Sequence, residues 1–188
     1  MKKLVVFAVF CLSMFSFTSS ARELADTQVV ENLTLEGLPN LVLNGAGVRS
    51  KFFMDLYVGG LYLPGKTKSL TEVFEADYAA INLTIISGMI TSEKMESAIR
   101  EGFEDATHGN EAPIHDEIEQ FIGLFKAEIK VGDQFLLVFA KDKGVTAYKN
   151  GEPQATVGNE QFRTALLNIW LGDKPAQKSL KKAMLSAE

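Results

Sequence analysis

The chain is nearly without cysteine. Its one thiol, Cys11, sits inside an apolar run near the start. That run reads as a leader, so the processed chain has no disulfide and no thiol chemistry, and it can live in an oxidising compartment without a redox role. Histidine is almost as scarce: His108 and His115 are the only two. They lie seven apart across the Gly109–Pro113 break, which is not the one-turn spacing of helical metal ligands. No serine stands in a Gly-x-Ser-x-Gly elbow, and two histidines are thin supply for a catalytic triad. Neither a metal nor a cofactor is expected. Basic residues are short too, 19 against 24 acidic ones for a net charge of −5. An acidic chain does not attract nucleic acid or an anionic membrane surface. The glycine-rich Asn44-Gly45-Ala46-Gly47 is followed by neither Lys-Ser/Thr nor a helix, which excludes a phosphate loop or a dinucleotide fold.

Met1-Lys2-Lys3 is a short basic start, Leu4–Phe17 is apolar, and Ser19-Ser20-Ala21 offers small residues for a signal peptidase. The pattern predicts a secretory signal peptide over residues 1–21, cleaved after Ala21, and a periplasmic or secreted product. The apolar run is too short for a membrane anchor. Loss of Lys2 and Lys3 takes the balance to 17 basic against 24 acidic residues, or −7. Residues 22–188 are enough for a single domain with a full core, and no linker or repeat divides them.

The centre of the chain is Leu43–Gly65. From Val48 to Leu63 it holds no proline, and Pro64-Gly65 stops it. Read with period two, Val48, Met54, Leu56, Val58 and Tyr62 share an apolar face, while Arg49, Tyr57 and Leu61 lie on the other. This predicts one long strand. Arg22–Val30 reads as a loose start, with two short strands over Leu33–Leu38 and Leu41–Leu43. A short helix follows at Ser69–Phe74, then a strand at Ala79–Ile86. Apolar residues at helical spacing predict helices from Ser92, as N-cap, and from Pro113. Gln134–Lys141, Val145–Lys149 and Glu152–Val157 read as a meander. Its Asn150-Gly151 is a strong hairpin signal, and Pro153 suits an edge. Asn159 caps a helix over Glu160–Leu171, and Asp173 is placed to cap the last one. The pattern is α+β, a mostly antiparallel sheet with a helix layer on one face.

Gly45-Ala46-Gly47-Val48-Arg49, then Lys51-Phe52, then Gly59–Gly65 resemble the opening of the chalcone isomerase family. Phe125–Gly132 and Leu171–Leu180 resemble two of its later motifs, and the secreted bacterial chalcone isomerase-like proteins are the nearer match. The resemblance implies an open-faced β-sandwich. It also implies that Arg49 lies in a ligand cleft, facing a phenolic oxyanion in the enzymes or a fatty-acid carboxylate in the non-catalytic relatives. A guanidinium fork matches a carboxylate two for two.

Other plant positions have changed. A threonine of the enzymes falls at Tyr57, their Tyr-Ser tyrosine at Thr91, and an asparagine at Ala98. One arginine without the other aimed donors is a poor oxyanion site. Tyr57 and Thr91 join Arg49 as candidate ligand-binding residues, although eight residues of extended strand, about 26 Å, separate Arg49 from Tyr57 unless the chain bends. The leading expectation is a non-catalytic binder of a small apolar carboxylate or phenolic ligand, fatty-acid-like, anchored by Arg49. Two alternatives stand beside it. One is an isomerase or lyase acting on an enone or other carbonyl compound. The other is an envelope protein-interaction module, with Arg49 in a structural salt bridge to Asp55 or another acid.

Overall fold

A computed structural model describes residues 21–187; all of the expected signal peptide except Ala21 lies outside that range. Seven strands form one sheet in the order of the chain: β3 (Asn32–Leu33), β4 (Leu41–Lys51), β5 (Met54–Leu63), β6 (Tyr78–Ile85), β7 (Gln134–Ala140), β8 (Gly144–Lys149) and β9 (Glu152–Val157). Every neighbouring pair is antiparallel. The sheet curls into a half-barrel beside its helices, which is the expected α+β class. The helices are α1 (Leu70–Glu75), α2 (Ser92–Thr107), α3 (His115–Gly123), α4 (Glu160–Leu171) and α5 (Lys178–Met184).

The expected strands are corrected at four points. The loose start is a hairpin, β1 (Ala21–Leu24) with β2 (Thr27–Val30), turning through Ala25 and Asp26 at positive φ. Val29 joins Leu43, Val58, Tyr62 and Val138 in a small apolar cluster, and the Tyr62 hydroxyl donates to the Val30 carbonyl at 3.0 Å. The short strand expected over Leu33–Leu38 is only β3, Asn32–Leu33, followed by a turn, and Leu41–Leu43 is no separate strand but the start of β4. The long central strand is two strands: the chain folds back at Phe52-Phe53, with φ of 52° and 64°, so that Lys51 pairs with Met54. Phe52-Phe53 carries none of the Gly, Asn, Asp or Pro that mark a turn, which is why the pattern concealed it.

The main core fills the space between sheet and helices, with Leu61, Ile81, Phe103, Phe121, Phe139, Phe162 and Leu166 all buried. Capping follows the sequence in part. Ser69 caps α1 and the Asn159 side chain accepts from Gln161 N and Phe162 N at the head of α4. At α2 the cap is Thr91 rather than Ser92. Asp173 does not cap α5, which begins at Lys178 without a side-chain cap. Asn150-Gly151 forms the expected hairpin, and Pro153 lies on β9, the edge of the sheet.

The glycine-rich stretch has a packing role. A Cβ at Gly45 would stand 2.1 Å from the Ala183 carbonyl oxygen, and one at Gly47 would stand 2.7 Å from the Ala183 Cβ. Helix α5 therefore lies directly on the backbone of β4. The fully buried Asn44 fastens it, donating from Nδ2 to the Met184 carbonyl at 2.8 Å and accepting from Thr67 N at 2.7 Å.

Candidate functional site

The β4–β5 hairpin creates the site by folding Arg49 onto Tyr57. The two are direct cross-strand partners, so their side chains leave the same face about 5 Å apart. The 26 Å separation of a continuous strand does not exist. A register shift between Arg49 and Ser50 leaves Leu56 unpaired, a bulge of the kind that re-aims side chains at strand ends.

Arg49 is half-buried, and its Nη1 donates to the Ser50 carbonyl at 2.7 Å and to Gln177 Oε1 at 3.0 Å. The same Gln177 oxygen accepts from Ser50 N at 2.8 Å, while its Nε2 donates to Ser179 Oγ at 2.6 Å. Gln177 therefore fixes both the guanidinium and the strand that carries it. Among the described residues no carboxylate pairs with Arg49. Asp55 instead accepts from the Ser50 hydroxyl at 2.6 Å, which removes the salt bridge that the interaction-module reading required of it.

Tyr57 accepts from Trp170 Nε1 at 3.0 Å. Its enclosed hydroxyl has a pKa raised above the ordinary value: burial disfavours the phenolate and outweighs the opposing effects of Trp170 and Arg49. At neutral pH it is a neutral hydroxyl, available as a donor.

Beside these groups lies a cavity of about 430 Å³, within the range of small-molecule sites. Arg49 and Tyr57 are on its wall. Its floor is buried and oily, with Leu83, Ile99, Phe121 and Leu166. Its rim is exposed, formed by the hairpin tip, α2 and the segment before α5. Two surface ion pairs lie on that rim: Lys51 with Glu101 at 3.5 Å and Lys174 with Asp105 at 3.8 Å. Met54, Met89 and Met95 also line the cavity, and flexible thioethers adapt to ligands of varied shape.

Residues 21–186 match the family model described as chalcone isomerase-like. The chain belongs to the chalcone isomerase-like family. Among solved structures, it is similar to the crystal structure of a fatty-acid binding protein of Arabidopsis thaliana, with 15% identity over 88% of this chain and 96% of that one and a TM-score of 0.68. At that identity the likeness is one of fold. No curated protein matches.

Within this chalcone isomerase-like fold the sequence-predicted residues separate. Arg49 and Tyr57 come together on the cavity wall. Thr91 does not join them: it is exposed, its hydroxyl accepts from Lys94 N at 3.3 Å as the α2 cap, and it is not among the lining residues. Its helix does contribute, through Met95, Ala98 and Ile99. Where the plant enzymes place an asparagine, the cavity has the methyl group of Ala98. His108 closes α2 in a left-handed conformation and His115 opens α3; both are exposed and outside the cavity. Sequence reading missed Gln177 and Trp170 as site residues. Gln177 lies within the Leu171–Leu180 motif, which had served only as a marker of fold.

Proposed function

We propose that this protein is a non-catalytic, periplasmic or secreted carrier of an apolar ligand with an acidic head group, such as a fatty acid, held by Arg49. One observation carries the reading: the half-buried guanidinium of Arg49, without a carboxylate partner among the described residues, stands on the wall of a cavity whose floor is hydrocarbon. Three further features support it. Gln177 and Ser50 hold Nη1, so the fork is oriented before a ligand arrives, which lowers the ordering cost of binding. The cavity contributes about 0.8 kcal/mol for each methylene it takes from water. The similar fold of the Arabidopsis fatty-acid binding protein agrees with that ligand class. The location outside the cytoplasm rests on the leader of residues 1–21.

Against an isomerase, Ala98 and the helix cap Thr91 supply none of the aimed donors that the plant-enzyme resemblance places at those positions. Native mass spectrometry and lipid extraction of the purified protein, beside Arg49→Ala, test the proposal. Wild type is expected to carry fatty acids, and the variant to bind them about tenfold or more weakly through loss of a charge-assisted bidentate pair. Equal, poor binding by both proteins would sink the reading.

A further inference from the structure

The tip of the β4–β5 hairpin has the wrong residues for its own geometry. A two-residue turn with both φ values positive is favoured by Asn-Gly, because neither residue then forces a bulky side chain into the left-handed region. The chain uses that solution at β8–β9, where Asn150 and Gly151 have φ of 52° and 85°. At β4–β5 the same positions hold Phe52 and Phe53, with φ of 52° and 64°. Bulky residues there are outliers. Nothing in the fold rewards the choice with burial, since Phe52 is 79% exposed and Phe53 fully so. Strain kept at an exposed aromatic pair points to a use outside the folded chain. Phe52 also lines the cavity, Met54 and Met89 extend the apolar rim, and Lys51 and Lys94 stand beside it.

We infer that Phe52 and Phe53 form a wedge that inserts into the surface of a phospholipid bilayer and brings the cavity rim against it, so that an apolar ligand passes between bilayer and cavity. The passage rests on the proposed ligand class; the insertion does not. The area is small for a protein partner: two phenylalanines offer roughly 300–500 Å², short of the roughly 800 Å² that each partner of a standard interface buries. It suits a bilayer, where aromatic rings enter the headgroup boundary and neighbouring lysines extend to the phosphates. The chain is acidic overall, so the attachment is driven by apolar insertion and not by net charge. Zwitterionic lipid is therefore sufficient.

Flotation with vesicles of phosphatidylcholine and phosphatidylethanolamine tests this, using wild type and the double variant Phe52→Asn/Phe53→Gly. The double variant supplies the residues the turn geometry prefers, so its thermal midpoint is expected to equal or exceed that of wild type, which separates loss of binding from loss of fold. Wild type is expected to float with the vesicles, to stay bound in 0.5 M salt (about a 4 Å screening length), and to bind at least tenfold more tightly than the variant. Arg49→Ala is expected to float like wild type, whatever its ligand content. Wild type that fails to float, or a double variant that floats equally, overturns the wedge. Release by salt, or loss of flotation in Arg49→Ala, does so as well. Sedimentation showing a wild-type dimer and a monomeric double variant would make the tip a self-association surface and equally overturn it.

Discussion

Arg49 keeps one nitrogen bonded to the Ser50 carbonyl and to Gln177 Oε1, so Gln177 decides how much of the guanidinium charge remains for a ligand. Gln177→Glu tests this with little change of shape. It places a carboxylate against Arg49, closes the ion pair internally, and is expected to weaken fatty-acid binding about tenfold or more while the fold survives. Fatty-acid titration with a fluorescent displacement probe reads it, and unchanged affinity would separate Gln177 from the site. Tyr57→Phe acts differently. It removes the acceptor of Trp170 Nε1 and leaves that nearly buried donor unsatisfied. A loss of about 1–2 kcal/mol in urea unfolding is expected.

Among the elements, α5 and α4 show how much a single position can hold. Because α5 rests on the bare backbone of β4, Gly45→Ala drives a methyl group into the Ala183 carbonyl. A loss of about 3 kcal/mol is expected, together with displacement of α5 and of the adjoining Gln177. Calorimetry reads the first effect, and weaker fatty-acid binding the second. In α4, Arg163 is fully buried and ties two helices together. Its Nη1 donates to the Phe74 carbonyl at 3.1 Å and to Glu160 at 2.8 Å, and its Nη2 donates to the Ala76 carbonyl at 3.1 Å. Arg163→Ala leaves the end of α1 with unsatisfied carbonyls and is expected to cost about 2–4 kcal/mol. A denaturation midpoint unchanged from wild type would contradict that role.

The whole molecule has an alkaline limit set by its enclosed phenols. Burial raises the pKa of both Tyr57 and Tyr62 above the ordinary 10.0; the Arg49 charge opposes this at Tyr57, and Glu31 adds to it at Tyr62. In the unfolded chain these tyrosines lose their protons near pH 10, while in the folded chain they keep them. Above that pH the unfolded state binds fewer protons, so stability falls as pH rises. The two phenols contribute fully below pH 10, and that contribution is lost progressively above it. Unfolding free energy measured from pH 8 to 11 is expected to be flat at first and then to decline. Phenylalanine at both positions is expected to flatten the decline.

Much of the architecture was legible because it depends on local chemistry. Asn150-Gly151 specifies its turn through its own φ preferences, Asn159 caps α4 with its own side chain, and the apolar periods of α2 and α4 face the core they predict. The β4–β5 turn was not legible, because Phe52-Phe53 carries no turn chemistry. The start of α5 was misplaced because Asp173 is a good capping residue that lies five residues before the helix begins. The burial of Arg163 has no local signal, because its partners lie far away in the chain. Only the approach of α1 gives it carbonyl partners.

Sequence alone determined the α+β class, the C-terminal meander and helices α1 to α4, since each depends on residue type and spacing along the chain, and the family resemblance of its motifs pointed to Arg49 as the cation to follow. The tertiary structure decided that Arg49 and Tyr57 are neighbours, that Thr91 is a cap outside the cavity, and that Gln177 rather than an acid holds the guanidinium. Those facts depend on which distant segments meet, and that is fixed by how a folded sheet and its helices share one core.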